Sequence, residues 1–129
     1  FVANFKAYCK KNNLPDGDKR VTDDPIEAAY FGVHVWKQAV EKAGSIDVDN
    51  VRKAVYGQKF LAPGGEIQMD QGNHHTHKPV LIGEILKDGQ FKIVSRSKGL
   101  VKPEPWSEYT SPDKGCDWIT HQGTYSKKG

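Results

Sequence analysis

The sequence feature that most constrains the fold is a nearly continuous apolar run at residues 79–86, Pro-Val-Leu-Ile-Gly-Glu-Ile-Leu. Such a run is typical of a β-strand that is covered on both faces. A Lys-Asp-Gly-Gln turn at 87–90 and an apolar segment at 91–94 predict that this strand forms a hairpin. Another strand is indicated at 66–70, where apolar and polar residues alternate. These few strands cannot cover one another on both faces. We therefore expect that partner strands are supplied from outside this segment of chain.

Three helices are predicted ahead of these strands. Residues 1–13 carry apolar side chains at helical spacing, and a Pro-Asp-Gly turn follows them. The third helix begins after Asp47 as its N-cap, turns its valines inward and ends at Gly57. Residues 60–65 are predicted as a loop that contains a Pro-Gly-Gly turn.

The second helix has the strongest start signal in the chain. Asp24 is predicted as its N-cap, with Pro25 at the first helical position and Glu27 at the third. Gly44 is the predicted stop, because glycine tolerates the left-handed conformation that often ends a helix. Helical spacing predicts a buried face that carries Ile26, Tyr30, Val33, Val40 and Ala43.

Composition narrows the classes of partner. The 129 residues suffice for one domain, and the net charge of +3 is spread along the chain, which gives no case for a nucleic-acid partner. No apolar run approaches the roughly 20 residues that span a bilayer.

The start at Phe1 rather than Met indicates a processed or truncated N-terminus. Residues 95–129 are rich in Pro, Ser, Lys and Gly, which predicts an extended C-terminal tail.

The two cysteines, Cys9 and Cys116, lie far apart in the sequence and outside any Cys-x-x-Cys spacing. A tetrahedral zinc site is therefore not indicated. One long-range disulfide in an oxidising compartment is a possible pairing, and two unrelated thiols are the alternative.

An ordered series of short segments resembles the C-terminal third of ABC-transporter solute-binding proteins of the branched-chain amino acid and amide class. Within that class the chain is most similar to the urea-binding proteins. The segments that carry the resemblance are Thr22–Tyr30, Val35–Gly44, Phe60–Gly65, Met69-Asp70, Asn73–His75, Lys78–Val80, Ile82–Ile85, Asp88–Phe91 and Cys116–Trp118.

The resemblance implies an α/β fold of the periplasmic-binding-protein type I kind, with two lobes, a hinge, and helices on a mainly parallel sheet. Residues 1–94 would be part of this ligand-binding domain. Within it, 1–21 would belong to the second lobe, 22–78 to the first lobe, and 79–94 to the hinge and return strands.

The resemblance also implies a function and partners. The protein would capture urea or a short amide outside the cytoplasm, in the periplasm or extracellularly, and deliver it to the permease of an ABC importer. Its other partner would be the remaining N-terminal part of the same protein, and a membrane anchor ahead of Phe1 is compatible with this arrangement. No cofactor is implied.

Five residues at the start of the second helix are the candidate ligand-binding residues: Thr22, Asp23, Asp24, Glu27 and Tyr30. The resemblance puts them at the mouth of the ligand cleft. Urea offers several N–H donors and one carbonyl, so its site needs carboxylate or carbonyl acceptors and one donor. Asp23 and Tyr30 could supply an acceptor and a hydroxyl, whereas capping would use Asp24. The alternative is a structural role, as a capping box and a core tyrosine.

The segment Asn73-His74-His75-Thr76-His77 is a candidate metal site. In a strand, His75 and His77 would share a face and could bind Zn²⁺ or Cu²⁺. The alternative is a polar loop whose histidines bond to the backbone. The resemblance covers Asn-His-His but not His77.

No Ser or Cys lies in a recognisable catalytic motif with His and an acid, so we do not predict an enzyme. Two other functions stay open beside solute capture. One is an amide-sensing regulatory protein of the same fold, and the other is a small metal-binding module that uses the histidine cluster.

Overall fold

A computed structural model describes residues 1–104, which contain helices and strands, as expected for the α/β class. The strands form two separate sheets, one in the order β1-β2-β3 and one of β4 and β5, and every pairing is antiparallel. The mainly parallel sheet that the resemblance implied is not present within residues 1–104. In chain order, the elements are α1 (Val2–Lys11), a 3₁₀ turn (Gly17–Lys19), α2 (Asp24–Ala43), α3 (Val48–Val55), β1 (Lys59–Ala62), β2 (Gly65–Met69), β3 (Thr76–His77), β4 (Leu81–Ile85) and β5 (Phe91–Arg96).

The start of α2 differs from the prediction by one residue. Asp23, not Asp24, is the N-cap: its backbone is extended, and its Oδ1 accepts a hydrogen bond of 3.0 Å from the Ile26 N–H. Asp24 is therefore the first helical residue, and its carboxylate is not used for capping. The predicted stop is confirmed, since Gly44 ends α2 in the left-handed conformation with φ +62°.

The buried face of α2 also differs from the predicted one. Phe31, Val35 and Ala39 are buried, whereas Tyr30 and Val33 are exposed. One residue along a helix rotates the side chain by about 100°. The predicted apolar face of α2 is therefore adjacent to the face that packs against the sheet. The sequence alone did not show on which side of the helix the sheet would lie.

The sheet that covers this face includes a strand that was not predicted. Residues 60–65 were expected to form a loop, but β1 occupies Lys59–Ala62 and pairs with β2. The predicted turn at Pro63 and Gly64 is confirmed as the connection between these strands. The core between α2 and this sheet consists of Phe31, Val35, Ala62, Ile67 and Met69.

The strands β4 and β5 form the predicted hairpin. The turn is confirmed: Gly89 has φ +79°, and the Leu86 N–H donates to the Gln90 carbonyl oxygen at 2.8 Å. Every residue of β4 and β5 is exposed within residues 1–104. This part of the chain therefore does not bury residues 79–86, and their burial by partner strands from elsewhere stays a prediction. Nothing within residues 1–104 covers either face of this hairpin.

The two remaining helices form as predicted, but the inward face expected for the valines of α3 is wrong at Val48, which is 70% exposed. Helix α1 is slightly shorter than the predicted range, and α3 begins at the predicted cap, where Asp47 Oδ1 accepts from the Asn50 N–H at 3.1 Å. Cys9 on α1 is fully buried, while Cys116 lies outside the described residues, so the disulfide stays a prediction. Among the described helices, none is both long enough and apolar enough to cross a membrane.

Candidate functional site

The N-terminal end of α2 borders a hollow of about 300 Å³. The β1–β2 turn and the start of α1 form its other walls. The hollow contains four of the five predicted ligand-binding residues, and Tyr30 is not among its lining. The lining residues are Phe1, Val2, Thr22, Asp23, Asp24, Glu27, Pro63 and Gly64.

Two carboxylates of this hollow take part in an ion cluster. Glu27 Oε1 accepts a hydrogen bond from the Gly64 N–H, and its Oε2 lies 3.7 Å from the Lys78 Nζ. Lys78 also donates to Asp24 Oδ1, and its Nζ lies 5.9 Å from the centroid of the Phe31 ring. The cluster joins the start of α2 to the β1–β2 turn and to the segment before β4, so Asp24 and Glu27 both have structural partners.

Asp23 has one carboxylate oxygen available for a ligand, whereas the carboxylates of Asp24 and Glu27 are paired with other residues. Its Oδ1 caps α2. Its Oδ2 has no hydrogen-bond partner among residues 1–104. Thr22 beside it is half-buried and could donate or accept through its hydroxyl. The hollow therefore combines one available carboxylate oxygen with a neighbouring hydroxyl.

Tyr30 lies in a second and larger hollow, of about 980 Å³, between α1 and β1. Its ring centroid is 4.9 Å from that of Phe1, 4.7 Å from that of His34 and 6.4 Å from that of Phe60. Tyr30 is thus part of an aromatic cluster rather than a neighbour of Asp23. Phe1 and Phe5 also line this hollow. The sequence predicted no more than a helix with apolar side chains for residues 1–13.

A buried acid for which the sequence predicted no role, Asp70, holds the histidine-rich segment in place. Asp70 Oδ1 accepts hydrogen bonds from the N–H groups of Gly72 at 2.8 Å and Asn73 at 3.1 Å, and its Oδ2 lies 2.7 Å from His77 Nε2. The Gly72 hydrogen bond, and next the bond to His77, lower the pKa of Asp70 below its usual value. The turn-forming Asp-Gln-Gly-Asn sequence was the signal that could have revealed this role.

The three histidines of the candidate metal site lie in different surroundings. His74 stacks on Tyr56 with ring centroids 4.4 Å apart, His75 is exposed, and His77 contacts Asp70. Only His77 is in a strand, so the shared face expected for His75 and His77 does not form. In the described part of the chain, no three side chains of His, Cys, Asp or Glu lie together as metal ligands.

Comparison with known proteins identifies a family. The family model described as "Periplasmic binding protein domain" matches residues 1–112, most of the chain. The chain is also similar to a limonene hydroxylase of Geobacillus stearothermophilus, with 29% identity over 89 residues. That match covers 69% of this chain but only 16% of the hydroxylase, so the chain corresponds to a small part of that protein's length.

Proposed function

The chain belongs to the periplasmic binding protein domain family, and from this premise we propose that it is part of a solute-binding protein that captures urea or a short amide for an ABC importer. The family supports a small-molecule ligand, a role in transport and an extracytoplasmic location. The choice of urea or a short amide as the ligand, and the delivery of that ligand to a permease, go beyond what the family implies and are part of this proposal.

The observation that carries the proposal is the hollow at the start of α2. Urea and primary amides present N–H donors that need acceptors and a carbonyl that needs a donor. Asp23 Oδ2 is an available acceptor, and the Thr22 hydroxyl could donate to the carbonyl. The hollow, of about 300 Å³, is large enough for such a ligand.

The proposed mechanism is closure of two lobes around the ligand. The hollow has one wall from the start of α1 and another from α2 and the β1–β2 turn, which we assign to the second and first lobes. A ligand that contacts both walls binds the closed state more tightly than the open state and shifts the population toward closure. The lobe assignments of residues 1–21, 22–78 and 79–94 stay predictions, as does the tail at 95–129.

We further propose that the protein does no chemistry on its ligand. The name of the Geobacillus stearothermophilus relative describes a hydroxylation of limonene, but this chain matches only a small part of that protein. Conversion of limonene by the purified protein would contradict the proposal, whereas recovery of unchanged urea or amide after binding would support it.

The experiment is a calorimetric titration of the protein as its source produces it, after its intact mass has been determined. Urea, acetamide and leucine are titrated separately, and small-angle scattering follows the radius of gyration. We expect one binding site for urea or acetamide and a smaller radius in the bound state. No binding of either compound would refute the proposed function.

A pair of matched variants tests the site itself. Asp23 and Asp47 are both N-caps, and asparagine caps a helix about as well as aspartate. Asp23→Asn should therefore keep the fold, because its oxygen still accepts from the Ile26 N–H. It should weaken amide binding about tenfold, because the free carboxylate oxygen is replaced by an NH₂ group, which donates and cannot accept from the ligand. Asp47→Asn should leave the affinity unchanged. Equal affinities of the two variants would exclude Asp23 from the site.

A further inference from the structure

Three segments of chain that connect the described elements meet at Lys78. They are residues 20–23 before α2, 78–80 before β4 and 97–101 after β5. The backbone carbonyl oxygen of Lys78 accepts a hydrogen bond of 2.9 Å from the Val101 N–H, which joins the second segment to the third. The side chain of Lys78 pairs with Asp24, the residue that directly follows the first segment. One residue therefore holds all three connections.

The side chain of Lys78 is held by two carboxylates of α2. Its Nζ donates to Asp24 Oδ1 and lies 3.7 Å from Glu27 Oε2. The Lys78 side chain is 29% exposed and that of Glu27 is 17% exposed, so solvent screens this pair less than it screens a fully exposed one. The ion cluster thus fixes the first turn of α2 to the residue that follows β3.

The ion cluster bridges a gap that close packing does not fill. A hollow of about 340 Å³ lies beside it, lined by Asp24 and Glu27 of α2 and by Pro79 and Leu81 at the entry to β4. The strands that follow, β4 and β5, pair with each other and are exposed within residues 1–104. The relative orientation of these connections therefore depends on the Lys78 contacts rather than on a packed core.

We infer that Lys78 is a positioning residue that sets how readily the two lobes close on the ligand. This inference rests on the proposed function, in which residues 20–23 and 78–80 connect the lobes. Lys78 is not among the residues that line the hollow of the candidate site, so it acts through Asp24 and not on the ligand. By holding the connections together, Lys78 restricts the open state. A restricted open state loses less conformational entropy when the ligand closes it.

The test compares Lys78→Met, Lys78→Arg and Lys59→Met in the protein as its source produces it. Methionine keeps an apolar chain but removes the charge, whereas arginine keeps the charge. Lys59 is the matched control, because its Nζ lies 3.6 Å from Glu66 Oε1 across two adjacent strands and joins no separate segments. Calorimetry with urea and acetamide is done at a temperature where every variant is fully folded, so that a loss of stability alone does not change the measured affinity.

The affinities have a definite expected order. Lys78→Met should weaken the binding of urea or acetamide about fivefold, the lower end of coupling between separate sites. Lys78→Arg should restore most of this affinity, and Lys59→Met should bind as the unchanged protein does. Unaltered affinity in Lys78→Met, or an equal loss in Lys59→Met, would overturn the inference.

Hydrogen exchange of the ligand-free protein measures whether the connections loosen. The amides to follow are those of Ile26, at the cap of α2, and Val101, which donates to Lys78. The Met69 amide, in the core strand β2, reports any general loss of stability. In Lys78→Met, exchange at Ile26 and Val101 should accelerate about threefold more than exchange at Met69. An equal or larger acceleration at Met69 would overturn the inference.

The two proposals fail in different ways. If neither urea nor acetamide binds, the proposed function is refuted. Preferential exchange at Ile26 and Val101 would then still support the positioning role of Lys78, and its absence would overturn that role. If either compound binds and Lys78→Met leaves its affinity unchanged, only the role of Lys78 is refuted.

Discussion

Replacing Glu27 with glutamine tests whether this residue holds the start of α2 in place. Its carboxylate accepts from the Gly64 N–H and faces Lys78 at 3.7 Å, and the side chain is only 17% exposed. A hydrogen bond to a charged group contributes about 1.5–3 kcal/mol and a neutral one about 1 kcal/mol, so glutamine forfeits about 1 kcal/mol at Gly64. The partly exposed ion pair adds at most about 1 kcal/mol. We therefore expect Glu27→Gln to lower the free energy of unfolding by about 1–2 kcal/mol.

The assay is urea denaturation without ligand, followed by circular dichroism. Glu41→Gln is the matched control, because Glu41 pairs with Lys37 on the exposed surface of the same helix at 2.5 Å. Such a pair contributes only about 0.3–0.5 kcal/mol. The double variant with Lys78→Met completes a cycle, and a coupling of about 0.5–1 kcal/mol between Glu27 and Lys78 is expected.

Two results would refute this reasoning. If Glu27→Gln and Glu41→Gln destabilise the protein equally, then the ion cluster contributes no more than an exposed pair. If Glu27→Gln leaves stability unchanged but abolishes amide binding, then Glu27 is a ligand-binding residue and not a structural one.

Three further predictions concern the core, the pH dependence and the backbone. Ile67→Ala should destabilise by about 3 kcal/mol, because Ile67 is 2% exposed in the core, and a loss below about 1 kcal/mol in chemical denaturation would contradict this. The hydrogen bond from the Gly72 N–H is the main cause of the lowered pKa of Asp70. The ionised Asp70 carboxylate therefore stabilises the folded state above its usual pKa of 3.8, and this stabilisation is lost as the pH falls through the lower pKa of the folded state. Asp70→Asn should then reduce the fall of the urea midpoint in acid. Thermal denaturation should show Gly32→Ala, inside α2, as stabilising by about 1 kcal/mol and Gly44→Ala, at φ +62°, as destabilising; equal effects would contradict the assignment of Gly44.

The features that the sequence predicted correctly depend on neighbouring residues. The stop at Gly44, the cap at Asp47 and the turn at 87–90 each require only the conformation of a few consecutive residues. The cap of α2 was wrong by one position because Asp23 and Asp24 are chemically equivalent as caps. Only the backbone conformation of Asp23 decides between them.

The features that could not be predicted depend on residues far apart in the chain. The hydrogen bond of Glu27 to Gly64 spans 37 positions, and that of Lys78 to Asp24 spans 54. Helical periodicity shows that α2 is amphipathic. Which of its adjacent apolar faces is buried depends on the position of the sheet against which α2 packs. The histidines were grouped by sequence proximity, yet His74 stacks on Tyr56, His77 contacts Asp70 and His75 is exposed.

The exposed hairpin has a consequence for anyone who makes this chain by itself. Within residues 1–104, β4 and β5 pair only with each other, so each presents an outer edge of unpaired N–H and C=O groups. Edges of this kind beside apolar side chains such as Ile82, Ile85 and Ile93 are templates for pairing with another chain. An isolated preparation should therefore self-associate through this hairpin, and a lysine in place of Ile82 should increase its solubility.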